Sequence, residues 1–523
     1  MQVLLESGAL TRRPLCVGHV QVYYISDVLT GLVVCFMVVF SPWAYGTTEL
    51  WSVWTMNVCG YSLAILQLVK IVIRKSTAYR PQCWEGKQTE DVSIRRERSL
   101  QGTAAGVCRR TKGLGNRSFT WALAFCTCGI LGFCLVAALN ARAVYLPDSM
   151  TLQYYKYLPW LPSSFDRQST LKSLWNYLGI ACSFWAVWDW LGGPSPVDRG
   201  GDSFHGTRAS HGGGMLTERL SRLLWVLAIS GGLLGGEGIV QRLSGSCELL
   251  FLVKPEIHQE AQEQFASYAY RANAGQYFNL LWPVCLGFWW VRSQLNGKYA
   301  RNSVPLLCAV VMAACPIISG ARGAALVDLA LLLVAILILT TCLWRRSAIP
   351  RNKKWVASTQ LALFATGVLT VGIGLGWGQL GPRLGLVRSG LAERELLYGP
   401  ARRIAADYPL FGTGPGTFEQ MFQLYRASPE AYWPAQLHND WLETRVTWGW
   451  FGTGLVVVAL FIVLMRRFLD DGITIDPGLV FLMWLSLIGC LVQARWDFPL
   501  QVYSILFLFV VWCAVLFTLS RQP

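Results

Sequence analysis

The stretch PAQLHNDWLETRVTWGWFG (Pro434–Gly452) combines the two properties that organise this chain. After His438, apolar residues recur at intervals of three to four, which predicts one face of an amphipathic helix. The stretch then runs into a long apolar segment of the kind that crosses a bilayer, for which about 20 residues suffice. We therefore expect His438, a side chain that exchanges protons near neutral pH, to lie at the start of a helix against a membrane.

The composition of the whole chain is that of a membrane protein. Of its 523 residues, 53% are hydrophobic and 14% are charged, whereas soluble domains carry about 25% charged residues. Many apolar runs approach the length of a transmembrane helix. The sequence predicts an all-α polytopic membrane protein, a single transmembrane domain over residues 1–523 with about 12 transmembrane helices. The predicted spans are 22–40, 50–73, 119–139, 171–191, 223–243, 276–291, 304–318, 323–343, 355–376, 448–465, 480–493 and 500–519.

The charge pattern predicts how the chain is oriented. Basic residues collect in alternate loops, as expected when positive loops stay in the cytoplasm. The net charge of +15 therefore indicates topology, and we expect no nucleic-acid partner. The pattern predicts a basic cytoplasmic loop at 74–118, a cytoplasmic linker at 192–222 and a large periplasmic loop at 377–447 that carries His438. Both termini are expected in the cytoplasm.

Three ionisable residues on the predicted outer side are candidates for a site: Arg271, Arg322 and His438. Ionisable groups at the ends of spans are costly and usually face a cavity or a partner. Arg322 lies among glycine and alanine residues, which leave a guanidinium room to reach a ligand. The alternatives are that the arginines extend to lipid headgroups and that the histidine is ordinary surface.

Two other chemistries are disfavoured. The glycines of Gly412–Gly416 lack the preceding strand and the following Lys-Ser/Thr of a phosphate-binding loop, so we interpret them as a tight turn. The histidines are scattered over both sides of the membrane, and no Asp-x-Asp pair lies in an outer loop. We expect no metal and no cofactor, with arginine neutralising negative charge on the outer face.

Several motifs resemble those of the O-antigen ligase and polymerase superfamily of bacterial polysaccharide enzymes. The most specific is Asp407–Gly452, in which DYPLFGTGPGTFEQMFQLYR precedes AQLHNDWLETRVTWGWFG. Four further stretches follow the family's order: FSPWAYGTTELWS (Phe40–Ser52), YAYRANAGQYFNL (Tyr268–Leu280), SGARGAALVDLAL (Ser319–Leu331) and RWDFPLQ (Arg495–Gln501).

This resemblance implies a GT-C-like glycosyltransferase architecture in the bacterial inner membrane. It implies that a glycan moves from an undecaprenyl-diphosphate carrier to an acceptor hydroxyl on the periplasmic side, without a metal. His438 is then the general base or orients the acceptor hydroxyl, while Arg322 and Arg271 hold the diphosphate through bidentate contacts. A single displacement predicts inversion at the anomeric carbon. The supporting candidates are Asn439, Glu443 and Asn273; Glu443 would orient the imidazole or be solvated at the surface.

The sequence does not decide which acceptor is used, and it allows other classes of protein. Lipid A core, a second lipid-linked repeat and a protein hydroxyl are all compatible acceptors, so the chain would be a ligase, a polymerase or a protein O-oligosaccharyltransferase. A transporter for lipid-linked sugars is the alternative from another class. Transporters, however, place binding groups at the bilayer midplane between two related halves, and this sequence has no related halves. A scaffold for polysaccharide assembly is a third interpretation.

Overall fold

The computed structural model describes residues 17–77, 104–193, 216–296, 303–347, 349–385, 387–426, 434–466 and 476–519. Within these ranges the chain is mainly helical. The helices are α1 (Val17–Trp43), α2 (Leu50–Ser76), α3 (Ala104–Leu139), α4 (Arg167–Leu191), α5 (Glu218–Ser244), α6 (Arg271–Asn296), α7 (Val304–Ile318), α8 (Arg322–Arg345), α9 (Arg351–Leu384), α10 (Val387–Asp407), α11 (Phe418–Tyr425), α12 (Asp440–Arg466), α13 (Pro477–Gln493) and α14 (Tyr503–Leu519). Strands β1 (Ala143–Leu146) and β2 (Thr151–Tyr154) form an antiparallel hairpin.

Seven of the described helices are long and apolar enough to cross a bilayer, namely α1, α2, α3, α5, α8, α9 and α12. Helices α7, α13 and α14 are apolar but have 15, 17 and 17 residues, fewer than the roughly 20 that a perpendicular span needs. Each of the twelve segments predicted as spans overlaps a helix. The prediction of a polytopic helical membrane protein is confirmed, with seven candidate spans in the described residues.

Helix α6 lies at the centre of the bundle. It packs against α5, α7, α8, α13 and α14, and its tryptophans Trp282, Trp289 and Trp290 are fully buried. Packing on so many sides fixes the helix axis. It therefore also fixes the position of Arg271, the first residue of α6.

The predicted outer loop 377–447 is built largely from helices. Helix α9 extends to Leu384, and α10 and α11 follow it. Residues of these helices and of the start of α12 share a small apolar core, which includes Tyr398, Ile404, Phe422 and Val446. This core holds the segment before α12 in place. The predicted cytoplasmic segments 74–118 and 192–222 lie largely outside the described residues.

A break at Gly449 divides α12 into a short first part and a longer, apolar second part. Gly449 has φ 61° and ψ −167°, a conformation that only glycine adopts readily. The Gly412 turn covers the break: the Thr413 amide donates to the Val446 carbonyl (3.0 Å), and the Gly414 amide donates to the Thr447 carbonyl (2.9 Å). The glycine-rich segment is thus a tight turn that supplies partners for backbone groups at the break.

Candidate active site

His438 lies two residues before α12, in a backbone conformation that is uncommon for a residue with a side chain. Its φ is 55°, in the left-handed region. The Tyr398 hydroxyl donates to its backbone carbonyl over 3.0 Å. Its side chain is 29% exposed, so the imidazole is held from one side and open to a ligand from another.

The carboxylate of Asp497 contacts the imidazole. Oδ1 of Asp497 lies 3.3 Å from Nδ1 of His438, and Asp497 is largely buried. A carboxylate at this position favours a proton on Nδ1, and Nε2 is then the nitrogen that can accept a proton. The pair therefore has the geometry of an oriented general base.

Asp440, the first residue of α12, links the His438 segment to the segment that carries Asp497. The Asp440 amide donates to the Ala494 carbonyl over 2.9 Å, and Asp440 Oδ2 accepts from the Leu500 amide over 2.8 Å. These bonds span the segment that carries Asp497. Because Asp440 lies two residues after His438, they fix the distance between the base and its carboxylate.

Asn439 and Glu443 order the backbone around His438. Asn439 Oδ1 accepts from the Leu442 amide over 3.1 Å, which caps the first turn of α12. Glu443 Oε2 accepts from the Leu437 amide over 2.9 Å. In the structure the carboxylate on the imidazole is thus Asp497, and the Glu443 carboxylate binds a backbone amide instead.

Two aromatic rings form a wall beside the imidazole. The His438 ring meets Phe498 edge to face at 4.8 Å between centroids and Tyr270 at 6.0 Å, and Tyr270 and Phe498 are stacked at 5.6 Å. Burial raises the pKa of Tyr270, and the nearby Asp497 raises it further. Tyr270 therefore keeps its proton and can donate a hydrogen bond.

Arginines from three helices lie near enough to Tyr270 to act on its charge. Their positive charges, from Arg394 on α10, Arg271 on α6 and Arg322 on α8, act against the upward shift of the Tyr270 pKa. Arg271 Nη1 donates to the Gln262 carbonyl over 2.7 Å, and Arg322 Nη1 lies 3.4 Å from the Arg383 carbonyl. The two arginines chosen from the sequence thus lie around the same tyrosine as His438. Asn273 is buried in the first turn of α6, where its backbone amide donates to the Tyr270 carbonyl over 3.0 Å.

Sequence reasoning missed three residues of this site. Asp497 and Tyr270 stand in motifs that were recognised, RWDFPLQ and YAYRANAG, but no spacing in the sequence connects either of them to His438. Arg394 lies in a charged stretch without any distinguishing pattern. In the described part of the chain, no three His, Cys, Asp or Glu side chains form a group that could hold a metal ion.

An apolar groove begins beside the site. It has a volume of about 300 Å³ and lies between α3, α4, α12 and α14. Most of its lining is apolar, for example Phe184, Ala459 and Phe509, while Asp440 and Gln501 lie at its lining near the site. A groove of this composition among membrane helices suits a hydrocarbon chain.

These features define a helical membrane protein with a His–carboxylate pair and an arginine cluster at one end of its bundle. Residues 307–469 match the family model described as O-Antigen ligase. This match supports the resemblance of the chain to the O-antigen ligase and polymerase superfamily. The matched region includes Arg322, Arg394 and His438, while Arg271 and Asp497 lie outside it. No curated protein and no solved structure matches the chain. The match supports a general role in ligase- or polymerase-type glycosyl transfer and suggests lipid-linked glycans as substrates.

Proposed function

We propose that this chain is a metal-independent, inverting glycosyltransferase of the bacterial inner membrane. It moves a glycan from an undecaprenyl-diphosphate carrier to an acceptor hydroxyl on the periplasmic side, as an O-antigen ligase does. The observation that carries this proposal is the His438–Asp497 pair at 3.3 Å, beside Tyr270, on which the charges of three arginines act. This arrangement supports a base with several cations close to it.

The proposed reaction is a single displacement. Nε2 of His438 takes the proton of the acceptor hydroxyl while that oxygen attacks the anomeric carbon. The bond from this carbon to the phosphate oxygen breaks, and the carrier diphosphate leaves with the electron pair. Asp497 stabilises the imidazolium that forms, as a carboxylate does in other oriented His pairs. Attack opposite to the leaving group inverts the configuration, so no carboxylate nucleophile is needed.

Arg322, Arg271 and the newly identified Arg394 would hold the diphosphate. Negative charge grows on the leaving group as the bond breaks, and guanidinium groups bind phosphate oxygens in bidentate fashion. Such positioned charges act most strongly on the transition state. Asn439, Glu443 and Asn273 would support the site by ordering the backbone beside His438 and Tyr270.

The groove between α3, α4, α12 and α14 supports a lipid-linked substrate. Its lining is mostly apolar and reaches Asp440, two residues from His438. A carrier or acceptor with a long hydrocarbon chain would keep that chain in the groove and present its polar end to the site. The acceptor could be lipid A core, a second lipid-linked repeat or a protein hydroxyl.

We also propose twelve membrane crossings, a GT-C-like architecture and cytoplasmic termini. Every predicted span overlaps a helix, and short or polar helices such as α6 and α7 are enclosed by neighbours. The transporter alternative is less well supported, because Arg271 and Arg322 are the first residues of α6 and α8 and not midplane groups.

The test is a transfer assay with the purified full chain in the presence of EDTA. The donor is an undecaprenyl-diphosphate oligosaccharide, and products are followed by mass spectrometry. Chain growth with donor alone indicates a polymerase, and transfer only after lipid A core is added indicates a ligase. A third arm offers a protein acceptor. Activity that requires a restored divalent ion would contradict metal independence, and no transfer in any arm would favour a transporter.

A further inference from the structure

His258, in the loop between α5 and α6, forms a second histidine–carboxylate pair close to the first. Its Nδ1 lies 3.8 Å from Oε2 of Glu263, and its side chain is 36% exposed. As in the His438–Asp497 pair, the carboxylate faces Nδ1. Within the residues that the structure describes, no group is bonded to Nε2 of His258. That nitrogen is available to a ligand.

The two imidazoles both contact the ring of Tyr270. The His258 ring stacks on Tyr270 at 5.2 Å between centroids and an angle of 29°. Tyr270 in turn meets His438 edge to face at 6.0 Å and stacks on Phe498. A ligand group bound at His258 is therefore the neighbour of the group that reacts at His438.

The backbone holds His258 in an unfavourable conformation. Its φ is 60°, and the φ of His438 is 55°. Such a conformation is costly and persists only where surrounding contacts impose it. Gln264 Nε2 donates to the His258 carbonyl over 2.7 Å. The Arg271 amide donates to the Glu263 carbonyl over 2.9 Å, which ties the loop to the first residue of α6.

Burial favours the neutral form of His258. Burial lowers the pKa of His258, and the positive charges of Arg271 and His438 lower it further, while Glu263 acts in the opposite direction. Tyr270, the other titratable group that faces it, keeps its proton. A neutral imidazole with a carboxylate at Nδ1 accepts a hydrogen bond through Nε2. This suits a hydroxyl group better than a phosphate.

We propose that His258, Glu263 and Tyr270 form a second subsite, which binds a hydroxyl-bearing sugar ring of the glycan next to the reacting sugar. His258 is a positioning residue: it accepts a sugar hydroxyl through Nε2 and so sets how the glycan lies against His438. This subsite rests on the proposed function, because it requires a glycan substrate. A few placed polar groups beside aromatic rings are the usual means of orienting a ligand.

The test compares binding of two ligands to the full-length protein in nanodiscs. One is the undecaprenyl-diphosphate-linked glycan that accumulates in a strain lacking this chain, and the other is undecaprenyl diphosphate without sugar. We expect His258→Ala to weaken binding of the glycan-bearing lipid about tenfold, the value of one good hydrogen bond, and to leave the sugar-free lipid unaffected. The matched control is Gln259→Ala, an exposed neighbour whose Nε2 bonds only to the Glu256 carbonyl of the same loop.

Steady-state kinetics give a second test. A purely structural role of His258 would not produce the changes in KM and kcat described here. In His258→Ala we expect a higher KM for the donor and a kcat within about twofold of the wild type. In the wild type KM should rise as the pH falls, because protonation removes the Nε2 lone pair, and this dependence should vanish in His258→Gln. If His258→Ala fails to fold, the binding of the two lipids is compared in His258→Gln and Glu263→Gln instead.

The following results would contradict the proposed role of His258 in binding a sugar. Equal weakening of both lipids would make His258 a diphosphate ligand, and unchanged binding of the glycan-bearing lipid would make it structural. A KM that falls with falling pH would indicate an imidazolium on phosphate. If the wild type binds neither lipid, the proposed function itself fails, and the subsite fails with it.

Discussion

At the residue scale, the site depends on one unusual backbone position and one contact distant in sequence. His438 adopts φ 55°, and its imidazole meets Asp497, 59 residues further along the chain. A helix cap by Asn439 and the Glu443–Leu437 bond order the backbone on either side. The carboxylates of Asp497 and Glu443 thus have different roles, although both lie close to His438.

These roles make Asp497→Asn a sharp test of the base. The amide keeps the shape but no longer favours a proton on Nδ1, so the imidazole is held less well in its accepting form. We expect kcat to fall by about 10²-fold or more while donor binding is kept. Glu443→Gln should instead lower the melting temperature of the purified protein, because its carboxylate binds the Leu437 amide. An equal loss of kcat in both variants, with equal stability, would contradict this assignment.

Arg322→Lys tests whether the arginine cluster holds the diphosphate. Lysine keeps the charge but loses the bidentate geometry, so we expect kcat/KM for the donor to fall by about 10²-fold, a loss of roughly 2.7 kcal/mol in transition-state binding. The matched control is Arg351→Lys at the other end of the membrane helices, at the start of α9. Full activity of Arg322→Lys would favour an arginine that only contacts lipid headgroups.

At the element scale, α12 follows directly on the proposed base and contains a candidate membrane span, and Gly449 is the joint within it. The Trp450 amide donates to the Pro409 carbonyl over 2.9 Å, and the Phe451 amide donates to the Leu410 carbonyl over 3.0 Å. The broken helix therefore keeps its backbone groups paired. The Gly412 turn and α12 form one unit that sets the position of His438 relative to the apolar part of the helix.

Gly449→Ala should destabilise this unit. A Cβ at this position would lie 2.4 Å from the Leu410 carbonyl oxygen, and the backbone conformation is strained for any other residue. We expect a loss of about 1–3 kcal/mol or more in unfolding free energy, seen as a lower melting temperature in detergent. Gly454→Ala on the same helix is the control, because nothing lies within 4 Å of its added Cβ. If the two variants melt alike, Gly449 is not the joint described above.

At the scale of the whole molecule, the site lies between two different surfaces. The arginines belong to α6, α8 and α10, while the apolar groove lies between α3, α4, α12 and α14. Helix α14 packs against α4, α6 and α12, and so connects the two sides. On the proposed function, a charged group would bind on one side of His438 and a hydrocarbon chain on the other.

Ala459→Phe tests the groove. The larger side chain would occupy space between α3, α12 and α14, so KM should rise about tenfold for a long-chain polyprenyl substrate. A short-chain analogue, which does not need the groove, should be less affected. The control is Val458→Phe, the adjacent residue of α12, which is 49% exposed and does not line the groove. Equal effects of both variants on both substrates would argue against a hydrocarbon in the groove.

The sequence predicted the helices and part of the site for physical reasons. Apolar runs place the helices, and charged residues at their ends, such as Arg271 and Arg322, are conspicuous because lipid disfavours them. Asp497 and Tyr270 were missed because their contacts depend on how α6, α12 and α13 pack, which no local periodicity encodes. Glu443 lies one turn from His438, but the helix start turns its carboxylate toward the Leu437 amide. The predicted loop 377–447 hid α10 and α11 because their charged, amphipathic sequences resemble a polar connection.

The most direct measurement is single-turnover transfer by His438→Ala, with EDTA present and donor binding measured on the same sample. The wild type should transfer the glycan, and the variant should bind the donor with the wild-type affinity and form no product. His258→Ala, which keeps His438, should still form product. Wild-type product formation by His438→Ala would contradict the assignment of His438 as the base.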